Sequence, residues 1–145
     1  MSKAIAIDPG MSKCGLIIAD IKQRTVCKAE VIKSNYLLCY AKKIYENEDK
    51  PQFLIGNGTT SQKYINELGK FIPNLIIADE KNSSFRAKQR YFEIFPLKGL
   101  RYFLPREIFI LNKNLDALAA LIIMEDFYNC RFEMSKVIST KTWLK

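Results

Sequence analysis

Three acids in this chain stand where carboxylates could act together: Asp8, Glu80 and Asp116. Asp8 closes the apolar run A-I-A-I and is followed by Pro9-Gly10. Glu80 comes just after the apolar run N-L-I-I-A, and Asp116 opens the stretch L-D-A-L-A-A-L-I-I-M. An ionised carboxylate leaves water only when it is paired, hydrogen-bonded or bound to a cation, so acids at the ends of buried segments need a partner. Three oxygen donors without a histidine form a hard-ligand set, suited to Mg²⁺ or Mn²⁺ and poorly suited to zinc or copper. A purely structural role is open to each: a strand-end acid can cap a turn, and an acid in a helix's first turn complements the helix dipole.

Composition narrows the chemistry further. The chain contains no histidine, which removes Ser-His and Cys-His nucleophile pairs and the commonest general base. Carboxylates, lysines, tyrosines or a metal-activated water are left. Cys14, Cys27, Cys39 and Cys130 form no C-x-x-C pair, so structural zinc is not expected and reduced thiols of a cytoplasmic protein are. There is no leader pattern and no apolar run near the roughly 20 residues that a membrane span needs. A soluble, cytoplasmic protein with no membrane partner is the expectation.

Lys plus Arg number 23 against 15 Asp plus Glu, a net charge of +8. Basic residues sit beside aromatics at Lys63-Tyr64, Arg90-Tyr91-Phe92 and Arg101-Tyr102-Phe103. Each neutralised phosphate releases a counterion and rings can stack on bases, so a nucleic acid is the expected partner. The bland alternative is a lysine-rich surface that only maintains solubility.

The elements that must position these groups follow from the apolar pattern. At 145 residues and 48% hydrophobic content, one domain over 1–145 with a sizeable core is expected, ending in a basic tail over 135–145. Lys3 to Asp8, Cys14 to Asp20 and Arg24 to Lys33 are apolar segments joined by short turns, read as a three-stranded antiparallel meander. Ser34 is placed to cap a helix carrying Leu37, Leu38, Ala41, Ile44 and Tyr45. Gln52 to Ile55 reads as a strand running into Gly56-Asn57-Gly58, with Thr59 or Thr60 capping a helix to about Leu68.

Asn74 to Ala78 is a further strand, and Ser83 or Ser84 opens a helix on which Arg86, Lys88 and Arg90 offer either a solvated face or a phosphate track. Phe95 to Lys113 is irregular, with several aromatics, and reads as a packed excursion. Asn112 or Asn114 then opens an apolar helix of about 14 residues, whose Ala117, Ala119 and Ala120 permit close approach to a sheet. The result is an α/β architecture: a mixed five-stranded sheet, an antiparallel meander plus two parallel strands, flanked by helices. Parallel strands share their C-terminal edge, where ligands of open α/β folds sit. Asp8 and Glu80 fall on that edge, and Asp116 joins them if the last helix starts there.

D-P-G-x-x-x-x-G from Asp8 to Gly15, D-E-K-x-S-S from Asp79 to Ser84 and D-A-L-A-A from Asp116 to Ala120 resemble the YqgF/RuvC-like nucleases of the ribonuclease H superfamily. The resemblance runs from about Lys3 to Tyr128. It implies a ribonuclease H-like fold and a metal-binding triad of Asp8, Glu80 and Asp116, with two divalent ions activating a water for in-line attack on a phosphodiester. It also implies substrate contacts from Lys13, from the turn containing Asn57, and from Lys81, which stands where the YqgF branch favours arginine. Arg86 and Arg90 are added to that substrate side by their charge.

Asp-Pro-Gly is the form of the junction-resolvase branch. RuvC-type resolvases carry a fourth acid one turn after the third, and here that position is Ala119. The resemblance therefore implies either processing of the 16S ribosomal RNA precursor or resolution of Holliday junctions, by a monomer or a homodimer. Structured RNA and branched DNA are the two substrate classes. A non-catalytic nucleic-acid-binding module of the same fold, acting in ribosome assembly or transcription, is the alternative. The strand-Asp-Gly-hairpin start also resembles actin-like ATPases, but those need two such domains and a second phosphate loop.

Overall fold

The computed structural model describes residues 3–79, 83–94 and 115–135. Six strands form one sheet: β1 (Lys3–Asp8), β2 (Lys13–Asp20), β3 (Thr25–Lys33), β4 (Gln52–Gly56), β5 (Ile76–Ala78) and β6 (Glu133–Met134). Their order is β5-β4-β1-β2-β3-β6. β2 runs antiparallel to β1 and β3, while β4 is parallel to β1, β5 to β4 and β6 to β3. This is the mixed sheet expected from the apolar pattern, with one correction. It has six strands, the two-residue β6 being added beside β3 through Glu133 N–H to Arg24 O (2.8 Å) and Ser135 N–H to Val26 O (3.2 Å).

Side-chain alternation along β1 divides the core into two layers. Ile5 and Ile7 join Leu16, Ile18, Phe53 and Ile55 under the helices α1 (Leu37–Asn47) and α2 (Gln62–Gly69). Ala4 and Ala6 join Ile17, Ala19, Ala29 and Leu54 on the opposite face, which is covered by a helix we label α4 (Asp116–Tyr128) and, beside it, α3 (Ser83–Ile94). Every residue of α4 from Ala117 to Glu125 is buried. A helix apolar on all sides has no solvent face to offer. Small side chains on both surfaces, Ala4, Ala6, Ala19 and Ala29 against Ala117 and Ala120, let it lie close on the sheet.

α4 stops at Asn129, which takes the left-handed conformation (φ 50°) while the Cys130 N–H closes on Glu125 O at 3.1 Å. A short side chain that tolerates this conformation is the usual helix terminator when glycine is absent. The chain then turns back to bury Phe132 and lay β6 beside β3.

Two capping expectations are corrected. Ser34 opens a 3₁₀ turn (Ser34–Tyr36) ahead of α1, and no side chain caps either that turn or α1. Ser61, not Thr59 or Thr60, precedes α2, and it too makes no side-chain cap bond. Both Ser34 and Thr60 spend their hydroxyls elsewhere, on the β1–β2 hairpin. The expected excursion from Phe95 to Lys113, the caps at Asn112 and Asn114, and the basic tail beyond Ser135 lie outside the described residues.

Candidate active site

The register of β1 and β2 sets the site. Asp8 pairs with Gly15 across the ladder, and alternation puts Asp8 on the face of Ala4 and Ala6, the face that α4 covers. Gly15 has no side chain, and the first turn of α4 occupies the space that one would fill. A Cβ at Gly15 would overlap the carbonyl of Asp116 and come within 2.6 Å of the Ala117 backbone nitrogen. Asp8 on a strand and Asp116 on a helix, 108 positions apart by their numbers, are thus brought to one edge of the sheet, both half-buried.

The hairpin between β1 and β2 is fixed from two sides. Ser34, buried at the end of β3, donates its hydroxyl to Gly10 O at 2.7 Å, and its backbone N–H donates to Ser12 O at 2.9 Å. From the other side Thr60 donates its hydroxyl to Pro9 O at 3.2 Å. Gly10 is required within the turn, because a Cβ there would overlap Lys13 O. Lys13 opens β2 in an exposed position. It shares parity with Gly15 and Ile17, so it falls on the Asp8 face.

Beneath the hairpin lies Cys14, fully buried with its sulfur 3.4 Å from the Ser34 hydroxyl. Burial pushes its thiol above the usual range; bonds to Ser34 and Gly10 pull it back, and the charges of Asp8 and Asp116 push it up again. Cys14 is thus a protonated thiol within electrostatic reach of both acids. Thiol-reactive probes at neutral pH are expected to label the exposed Cys27 and Cys39 first and to leave Cys14 unmodified until the chain unfolds. Fast labelling of Cys14 in the folded protein, read by peptide mass, would contradict this packing.

Further along the same edge, β4 ends at Gly56 opposite Ala78 of β5, and the Asn57 N–H donates to Ala78 O at 3.0 Å. Asn57 and Asp79 are both exposed there, in a line with Asp8 across the parallel strands. Glu80 and Lys81 lie outside the described residues. Among the described residues no group of three histidine, cysteine, aspartate or glutamate side chains is gathered to hold a metal ion. The geometry therefore joins two of the three expected acids, Asp8 and Asp116.

Arg86 and Arg90 are placed differently from a phosphate track. Arg86 forms a two-pronged ion pair with Asp126 of α4. Arg90, whose side chain is only 12% exposed, holds Glu125 through Nε at 3.0 Å and Nη2 at 3.1 Å and also donates to Phe132 O at 2.9 Å. Glu125, 6% exposed, accepts the Phe132 N–H at 2.9 Å as well. These two arginines bind α3 to α4. This placement supports a structural role for both.

Sequence reasoning passed over Ser34, Thr60 and Gly15 as parts of the site. The first two read locally as helix caps, and only the D-P-G-x-x-x-x-G spacing pointed to the third.

No family model and no curated protein matches the chain. Among solved structures, a Bacteroides thetaiotaomicron protein described as having an actin-like ATPase fold and unknown function is similar to it. The match has 15% identity and a TM-score of 0.42, and covers 52% of this chain and 32% of that one. The chain thus spans about a third of that structure's length. Among the described residues no helix is long and apolar enough to cross a membrane.

Proposed function

We propose that the chain is a divalent-metal-dependent endonuclease that hydrolyses phosphodiester bonds in structured nucleic acid. The observation that carries this reading is the seating of α4 on Gly15, which puts Asp116 beside the strand end that bears Asp8. Two carboxylates from separate elements at one sheet edge supply the oxygen donors that a hard divalent cation takes. The donor set fits a hard ion. The carboxylates of Asp8 and Asp116 supply oxygen, and the nearby sulfur of Cys14 is a buried thiol engaged with Ser34.

Asp8 and Asp116, joined by Glu80, would hold Mg²⁺ or Mn²⁺. Such ions, when bound, lower the barrier to in-line hydrolysis by stabilising charge on the attacking and leaving oxygens. The chain's own groups supply the rest. Lys13, exposed on the Asp8 face, neutralises a substrate phosphate, and the Ser34 and Thr60 bonds keep the hairpin that carries it from moving. Exposed Asn57 and Asp79 border the path a strand would take along the edge. The net charge of +8 draws a polyanion to the surface irrespective of sequence.

The test is a cleavage assay with Mg²⁺ or Mn²⁺ that offers a four-way DNA junction, a linear duplex and precursor ribosomal RNA side by side. Metal-dependent cutting is expected, and Asp8→Asn should reduce it by about a thousandfold or more while leaving binding within about twofold. Lys13→Ala should instead weaken binding to all substrates and lower the slope of log affinity against log salt by about one. Tight, salt-sensitive binding by wild type and Asp8→Asn with no cutting by either would overturn the nuclease and leave a binding module.

A further inference from the structure

We propose that Met11 is a wedge that enters the base stack at a break in a duplex, so that the hairpin beside the acids selects branched or bulged nucleic acid over continuous helix. The inference rests on the nucleic-acid reading above and concerns how the same site chooses its substrate. Met11 is 88% exposed, the most exposed of the large apolar side chains described. Isolated apolar residues on a surface are ordinary. This one differs in how it is presented.

Met11 sits within the four-residue connection 9–12 between β1 and β2, directly between Gly10 and Ser12. The carbonyls on either side of it are both held by one buried residue: Gly10 O accepts from the Ser34 hydroxyl and Ser12 O from the Ser34 N–H. Pro9 O is held in turn by Thr60. Three carbonyls of this loop are thus bonded to two other segments of the chain. These bonds fix the direction in which the tip projects, and the tip carries an unbranched thioether.

Insertion of an apolar side chain between bases requires a rigid mount, because flexibility at its base would cost the wedge the contacts it gains by unstacking a step. Methionine suits the task, being slender and polarizable enough to lie against an aromatic face. Opening a continuous stack is costly, and the cost is lowest where pairing or stacking is already broken. A wedge on this hairpin therefore favours junctions and bulges over linear duplex. Lys13, two residues on and on the Asp8 face, would hold the adjoining phosphate.

The test uses the full chain carrying Asp8→Asn, so that substrate stays intact, with 2-aminopurine placed at the branch of a four-way DNA junction or at the same step of a linear duplex. Binding is expected to raise the fluorescence of the junction probe alone. Met11→Ala should remove that rise and lower the ratio of junction to duplex affinity about tenfold, and Met11→Leu should restore both. Because the side chain is exposed, neither substitution threatens the fold. Loss of the rise without rescue by leucine, or a full rise and ratio in Met11→Ala, would overturn the wedge; if the Asp8-intact protein still cuts, the nuclease reading survives. A Met11-dependent rise in a protein that never cuts would uphold the wedge and overturn the nuclease. Absence of any binding would overturn both.

Discussion

Gly15→Ala is expected to lower stability by about 3 kcal/mol, at the upper end of what overpacking costs, because the added methyl meets backbone and not a side chain that could turn away. For a chain of this size that is a fall of roughly 6–12 °C in Tm. The same substitution should weaken divalent-ion binding, since the first turn of α4 carries Asp116 with it when it is pushed off β2. Thermal melting together with an ion titration separates the two effects. An alanine variant that melts like wild type would mean that α4 is not seated on Gly15, and the pairing of Asp8 with Asp116 would lose its basis.

The second large effect lies away from the site. Arg90→Ala is expected to cost about 3–5 kcal/mol, because it removes the guanidinium paired with Glu125, which stays buried among α4's apolar neighbours and keeps the Phe132 N–H bond. Replacing both partners by apolar residues, Arg90→Met with Glu125→Leu, should recover most of the loss, since the desolvation of two charges disappears with them. Chemical denaturation of the two single variants and the double gives the coupling. Strict additivity would show that the Arg90–Glu125 pair is not formed. Normal stability but poor nucleic-acid binding in Arg90→Ala would return this arginine to the substrate side.

These two predictions also mark where sequence reading succeeded and where it could not reach. The meander, β4 and the long buried helix were legible because each follows from local apolar periodicity and a turn. The alanines of α4 even indicated a close approach to the sheet, and with it Asp116 near a strand end. What they could not indicate was the seat itself, which depends on Gly15 lying opposite Asp8 in the register.

The charges were harder. A row of basic residues on one helix looks the same whether it faces solvent, phosphate or acids on another helix, and only the packing of α3 on α4 decides that Arg86 meets Asp126 and Arg90 meets Glu125. Ser34 and Thr60 were misread for a related reason. A hydroxyl just ahead of a helix signals a cap, but a carbonyl from a distant hairpin competed for it and won. β6 left no trace, since two residues carry no periodicity and pair only because the Asn129 turn returns the chain to β3.

In the proposed nuclease Asp8 and Asp116 share one cation. The most direct measurement is Mn²⁺ binding to the full chain, followed by calorimetry or by loss of the free-ion electron-paramagnetic signal, for wild type, Asp8→Asn, Asp116→Asn and an Asp20→Asn control on the far side of β2. Saturable binding is expected in wild type and in the control, and is lost in each of the other two variants with little change in melting temperature. Binding that survives both substitutions, or wild type that binds no ion, would contradict it.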